Sequence, residues 1–330
     1  MATVAVFGEI LLRLAPQAGV SLRRASGFDI HVGGAEANVA AGLAQLGHAA
    51  RVISTLPASA LGDIARRRLA AEAIDLTHTG TGPGRMGLYF HEPAAGPRGG
   101  GVIYDRVGSA FALAGAQAYD PEAALAGATH LHISGISPAV SEAGAEATLA
   151  MVAAARAGGC TVSFDGNFRA SLWAASPRDP REVLLPLVEQ ADLIFGNHRD
   201  AALLLGRDLS GESPRAVALA LFEAFPQCSL VASTRREVEQ GGAQFVGARI
   251  DARDDFAEAD EVALPHIVER IGTGDAFATG VLHRWLQDPS DLGGAARTGV
   301  ALMALKHAMP GDLPDFTPDD IYAAGSDIQR

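Results

Sequence analysis

The chain has 330 residues, enough for about two average domains or one large α/β domain with an insertion. Hydrophobic residues make up 48% and charged residues 19%, a balance that excludes a disordered chain or a coiled coil. With 26 Lys and Arg against 38 Asp and Glu, the net charge of -12 has the wrong sign for bulk attraction to nucleic acid or an anionic membrane, so an anionic ligand needs a local cluster of cations.

Residues 1–14 enter an apolar run without a basic leader and are interrupted by Glu9 and Arg13, so they predict a first strand rather than a signal peptide. No apolar stretch is long enough to span a membrane, and a cytoplasmic protein is expected. Short β-rich runs at 4–8, 50–54, 130–134, 161–165, 193–196 and 230–233 alternate with helical stretches, the pattern of βα units that build a parallel sheet with helices on both faces. The periodicity predicts helices over 36–46, stopping at Gly47, and over 142–157, stopping at Gly158 and Gly159. Segments 11–32 and 86–106 break the alternation. Their β-rich runs and Gly/Pro turn predict a small β lid inserted in a core made of 1–10, 33–85 and 107–330.

Some chemistries fall to single counts. Lys306 is the only lysine, which removes the GxxxxGK[ST] phosphate loop, the strand lysine of protein kinases and a pyridoxal phosphate Schiff base. Gly80, Gly82 and Gly84 lack the spacing of a dinucleotide fingerprint, against a nicotinamide dehydrogenase. Cys160 and Cys228 have no CxxC spacing and read as core thiols in a reducing compartment. His130 and His132 share a strand face but have no evident third ligand, and read as core histidines rather than a metal site.

Two glycine motifs carry the chemistry. Gly272, Thr273, Gly274 and Asp275 precede a helical run over 276–286 with Phe277, Val281, Leu282 and Trp285 apolar. A glycine turn opening a helix aims successive N–H groups and the positive end of the dipole into one concavity, an anion hole. A carboxylate beside such a hole needs a reason to be there, and serving as base for a hydroxyl is one; an ordinary helix cap is the other. Gly33 and Gly34 precede a second helix start, with Asn38 one turn beyond Gly34 and able to face the same ligand.

The order of these motifs, with a β insertion between early βα units, resembles the ribokinase-like (PfkB) family of sugar kinases over essentially the whole chain. The resemblance implies a three-layer α/β/α core with a mostly parallel sheet and a small β-sheet lid. It assigns Gly33, Gly34 and Asn38 to the sugar and Gly272, Thr273, Gly274 and Asp275 to phosphoryl transfer, with Asp275 as base. ATP and Mg2+ follow from it, with a monovalent cation as a further candidate. The family's Asn-x-x-Glu element stands here as Asn197 to Asp200, which places Asn197 beside the phosphates and Asp200 at the metal through water. The nucleotide side would further include Asn167, Thr234, Gly272, Gly274 and His307, with adenine between the 306–312 segment and the stretch after Ser233.

Within the family, Gly87 to Tyr89, Tyr104-Asp105-Arg106, Asp165 to Arg169 with Leu172-Trp173, and Gly8-Glu9 with Arg13 look like 2-keto-3-deoxygluconate kinases. That likeness places Tyr89, Tyr104, Arg106 and Arg169 on the substrate and its carboxylate. Two guanidinium forks match a carboxylate and supply charge that a neutral sugar would leave unpaired. The expected activity is transfer of the γ-phosphate of ATP to the primary hydroxyl of 2-keto-3-deoxygluconate or a close epimer. Expected partners are the sugar acid, ATP and further copies of the chain through the lid, with no nucleic acid and no membrane. A kinase for a neutral sugar or nucleoside, and a non-catalytic sugar-acid sensor on the same fold, remain as alternatives.

Overall fold

The computed structural model describes residues 2–94, 99–174, 176–239 and 242–323; residues 95–98 of the expected lid and 175, 240–241 and 324–330 of the expected core lie outside the described residues. Its strands are β1 (Thr3–Phe7), β2 (Leu11–Ala15), β3 (Asp29–Gly33), β4 (Ala49–Pro57), β5 (Thr79–Gly82), β6 (Gly87–Glu92) and β7 (Gly101–Asp105). The second half adds β8 (His130–Ser134), β9 (Thr161–Asp165), β10 (Leu193–Phe195), β11 (Leu230–Val238), β12 (Gln244–Ala252) and β13 (Phe256–Ala263). They form a nine-stranded sheet in the order β13-β12-β11-β10-β9-β8-β1-β4-β5 and a four-stranded sheet in the order β3-β2-β6-β7.

The large sheet is parallel from β5 to β11. Its strands alternate between two cores, as a two-sided buried sheet requires. Val4 and Val6 of β1 face helices Ala35–Gln45, Thr273–Trp285 and Leu292–His307, while Ala5 and Phe7 face helices Glu142–Ala157 and Pro180–Val188. This is the three-layer α/β/α architecture expected from the alternation. The chain first builds outward from β1 to β4 and β5, then returns to β8 on the other side of β1. That reversal opens a crevice at the carboxyl ends of β1 and β8, where ligands bind in open α/β sheets.

The small sheet has an antiparallel pair at each end and a parallel β2–β6 junction between them, with Arg13 beside Tyr89. The hairpin β12–β13, antiparallel to β11 at the edge of the large sheet, was not foreseen from the sequence. Its strands are rich in Asp, Glu and Arg, and β13 is largely exposed, so no continuous apolar run marks them. Among the described residues no helix is long and apolar enough to cross a membrane.

His130 and His132 have hydroxyl partners. The His130 ring nitrogens lie 2.7 Å from Thr161 Oγ1 and 2.7 Å from Ser163 Oγ, and His132 Nδ1 lies 2.8 Å from the same Ser163 Oγ. Burial pulls both imidazoles down to about 3, far below an ordinary histidine. A depressed histidine binds its proton in the unfolded chain first, so its stabilising contribution is present above about pH 6.5 and is lost as pH falls toward 3. Each ring should cost about 1.4 kcal/mol per pH unit in that window. We predict that chemical denaturation of His130→Gln/His132→Gln will show lower stability at pH 7 and a shallower loss between pH 6.5 and 4.5 than the parent. Carboxylates contribute alike to both curves, so parallel curves would contradict the neutral, buried state of the two rings.

Candidate active site

The largest cleft, of about 320 Å3, lies at the carboxyl ends of the parallel strands and is walled on one side by the small sheet through Leu11, Tyr89, Val102 and Tyr104. Strand ends of the large sheet deliver part of its lining: Glu9 follows β1, Asp165 closes β9 and Gly196 follows β10. Helix Thr273–Trp285 points its N-terminus into the same cleft.

The turn before that helix is built for close approach. Gly272 has φ 78°, and a Cβ there would lie 2.6 Å from the Asp312 carbonyl oxygen, so only glycine fits. A Cβ on Gly274 would meet nothing within 4 Å, which leaves the main chain open on the cleft side. Thr273 donates its hydroxyl hydrogen to the Arg270 carbonyl at 3.1 Å and ties the turn to the preceding segment. The N–H groups of a first helical turn have no partner within the helix, which suits them to an anion.

Asp275, in that first turn, accepts a hydrogen bond from Asn38 Nδ2 at 2.6 Å. Asn38 comes from the first turn of helix Ala35–Gln45, whose N-cap Gly34 has φ 148° with its Cα against the Glu9 carbonyl. Asn38 Oδ1 is buried on the cleft wall with no partner among the described residues, an acceptor left for a ligand hydroxyl. Desolvation raises Asp275 to about 7, with Glu36 and Asp312 adding to the shift, while the Asn38 hydrogen bond and Arg169 oppose it. Burial also raises Glu36 and Asp165, the latter further because Asp275 and Asp200 lie near it. The cleft floor is therefore a crowd of carboxyl groups.

Cations face that crowd from the rim. Arg169 is exposed and lines the cleft from the start of helix Ala170–Trp173. Arg106 is buried, donates from Nε to Glu9 Oε2 at 2.6 Å and lies 5.7 Å from the centre of the Tyr104 ring. Glu9 also accepts from Ser109 Oγ at 2.5 Å, so one edge of the Arg106 fork is fixed and the guanidinium is held at the cleft. The Tyr89 hydroxyl donates to Asp312, and its ring lies 6.0 Å from that of Tyr104.

Gly34, Asn38, Tyr89, Tyr104, Arg106, Asn167, Arg169, Asn197, Asp200, Thr234 and the whole Gly272–Asp275 turn line this one cleft. Two expected residues do not. Gly33 lies behind the wall, where a Cβ would fall 2.6 Å from the Asp312 side chain. His307 is buried, with Nδ1 2.8 Å from the Met303 carbonyl, and of the 306–312 segment Asp312 alone reaches the wall. Asp200 reaches it with both carboxylate oxygens engaged, by the main-chain N–H of Asn197 at 2.8 Å and of Phe168 at 3.2 Å. With Asn197 it forms the capping box of helix His198–Leu205, so a direct metal bond would displace a helix cap. Among the described residues no group of three His, Cys, Asp or Glu side chains could hold a metal ion.

Sequence reasoning gave no role to Glu36 or Arg270 and counted Asp312 only within the 306–312 segment on the nucleotide side; all three are on the cleft wall. Glu36 was detectable as a lone carboxylate among the small apolar residues of a buried helix, where it accepts from Ser134 Oγ at 2.6 Å. Nothing local marks Asp312 or Arg270.

Fold and cleft place the chain among sugar kinases, and comparison with known proteins agrees. Residues 1–315 match the pfkB family of carbohydrate kinases. The chain is 32% identical over 321 residues to 2-dehydro-3-deoxygalactonokinase of Haloferax volcanii, covering 97% of this chain and 95% of that one. It is 28% identical to 2-dehydro-3-deoxygluconokinase of Bacillus subtilis, covering 98% and 95%. The crystal structure of 2-dehydro-3-deoxygluconokinase from Thermotoga maritima superposes with a TM-score of 0.91 at 31% identity, covering 98% of each chain. The protein belongs to the pfkB carbohydrate kinase family and is a sugar kinase.

The titration of Asp275 follows from its surroundings. A carboxyl 13C NMR titration should place its midpoint near pH 7. Asn38→Ala removes the hydrogen bond that favours the carboxylate, so the midpoint should move up. A midpoint in the ordinary aspartate range, or a downward move, would contradict the buried geometry.

Proposed function

We propose that this kinase transfers the γ-phosphate of ATP to the primary hydroxyl of 2-keto-3-deoxygluconate or a close sugar-acid epimer, giving the 6-phosphate and ADP. One observation carries the reading: a desolvated carboxylate at an anion-binding helix start shares a single cleft with three arginines, Arg106, Arg169 and Arg270, in a chain whose net charge is -12.

Phosphoryl transfer asks little covalent help of a protein and much alignment. The Gly272–Gly274 main chain donates to the phosphate oxygens where negative charge accumulates. Asp275 accepts the proton of the attacking hydroxyl, and Asn38 holds its carboxylate at 2.6 Å for that purpose. Asn38 Oδ1 accepts from a sugar hydroxyl. Arg106 and Arg169 face the sugar's carboxylate, with Tyr89 and Tyr104 beside it. Asn167, Asn197 and Thr234 take the nucleotide side of the cleft. Asp200 would hold Mg2+ through water, since both its carboxylate oxygens accept from main-chain N–H groups, and the ion would supply charge neutralisation at the phosphates. The small sheet acts as a lid that keeps water from competing as acceptor. Phe28, Ile30, Val102 and Ile103, large apolar side chains exposed on that sheet, support association of copies through it.

Two kinetic outcomes follow. Asp275→Asn keeps the shape and loses the base, so kcat should fall about 10²- to 10⁴-fold with KM for the sugar within a few fold. In the parent the base must be ionised, so kcat/KM should rise with pH and level off above about 7. A variant that keeps most of its turnover removes Asp275 from the chemistry.

Substrate choice tests the arginines. Arg169 is exposed at the rim, where a charge pair is only partly desolvated, so Arg169→Ala should cost about 1 kcal/mol in sugar-acid binding. Arg106→Lys should recover only part of kcat/KM, since an ammonium cannot hold Glu9 and the substrate with two fixed prongs. A coupled ADP-release screen should show preference for the sugar acid over fructose and ribose, and Arg169→Ala should lose part of it. Equal or better kcat/KM on a neutral sugar would make the protein a neutral-sugar kinase instead.

A further inference from the structure

The chain's only lysine lies directly beneath the anion-binding turn. Lys306 occupies the last turn of helix Leu292–His307, and its side chain is 0% exposed. Its ammonium donates to two main-chain carbonyls of the following loop, Met309 at 3.2 Å and Gly311 at 2.8 Å. The stem supports the turn from below: a Cβ on Gly272 would fall 3.2 Å from Lys306 Cε and 2.6 Å from the Asp312 carbonyl oxygen. The same loop presents Asp312 to Tyr89 and to Arg13, whose Nε lies 2.9 Å from Asp312 Oδ1.

An ammonium is costly to bury, and a chain that otherwise uses arginine for every cation has no compositional bias toward placing one here. Burial works against its charge, while Asp312, Glu269 and Asp275 favour it and Arg13 opposes it. Carbonyl oxygens converging on a compact point charge are also how a protein holds a free monovalent cation. A tethered ammonium in that position has a different consequence, because it is always present and cannot be diluted away.

We propose that Lys306 is a built-in cation that holds the 309–312 loop under Gly272 and so sets the anion-binding turn, making catalysis independent of free monovalent cations. Lys306 is a positioning residue: it acts through the main chain of the turn and does not touch the transferred group. The inference rests on the phosphoryl-transfer reading of the cleft for its kinetic part and on the geometry of the loop alone for its structural part.

The test uses the full chain in buffers of equal ionic strength containing K+, NH4+ or tetramethylammonium, a cation too large for the site. The parent should turn over equally in all three. Lys306→Met keeps the stem and loses the charge; it should fold and lose kcat about 10²-fold with KM for the sugar changed little, without rescue by any cation. Lys306→Ala opens the site, and K+ or NH4+ should raise both its kcat and its unfolding temperature in a saturable way that tetramethylammonium does not reproduce. A parent that needs K+, a Lys306→Met variant with parental kcat, or a Lys306→Ala variant whose activity and unfolding temperature ignore small cations would each overturn the proposal. If Lys306→Ala does not fold, the parent's cation profile and Lys306→Met decide. If the parent phosphorylates no sugar at all, the functional reading fails, while the cation-dependent unfolding of Lys306→Ala still decides the role of the lysine.

Discussion

The ion pair between Glu9 and Arg106 joins the two sheets, and the geometry of the cleft depends on it. Glu9 stands just beyond β1, between β8 and β4 in the large sheet, and Arg106 just beyond β7 at the edge of the small one. Both side chains are buried. Removing one partner of such a pair typically costs about 3 to 5 kcal/mol, because the other charge stays desolvated. A second tie reinforces it: Arg13 on β2 reaches Glu269 at 2.5 Å and Asp312 at 2.9 Å, on the segments that flank the Gly272 turn. Burial pushes Glu269 up, yet the Arg13 hydrogen bond and charge hold it below the usual carboxylate range. The wall that carries Tyr89 and Tyr104 is thus fixed to both the strand ends and the anion-binding turn.

These ties make sense of a cleft that gathers both signs of charge in an acidic protein. Asp275, Asp165, Glu36 and Asp312 crowd the floor; burial raises all four, and neighbouring carboxylates add to the rise at Asp275 and Asp165. A carboxyl group raised to about 7 is the consequence at Asp275. The cations sit where each answers a particular charge: Arg106 on Glu9, Arg13 on Asp312 and Glu269, and Arg169 at the open rim.

Much of this was legible without coordinates. Alternating β and helical runs place the parallel strands because a strand buried on both faces must be a short apolar run, and such runs stand out between amphipathic helices. Gly272 and Gly34 stand out because backbones in unusual conformations, or pressed against another main chain, admit little else. The β12–β13 hairpin did not stand out, since a half-exposed edge hairpin tolerates charges at most positions.

By itself the sequence determined the layer architecture, the order of the motifs and the residue types able to hold an anion and take a proton, because these rest on local periodicity and backbone conformation. Tertiary structure alone decided which side chains meet. It brought Asn38 to Asp275 across 237 positions of sequence and Arg13 to Glu269 across 256, and it turned Gly33 and His307 away from the cleft. It also decided what each charge is: neighbours fixed by the fold, not residue type, lift Asp275 to about 7 and engage Asp200 as a helix cap. Long-range contacts and desolvation have no local signature, and for that reason the chemistry of the site had to be read from the folded chain.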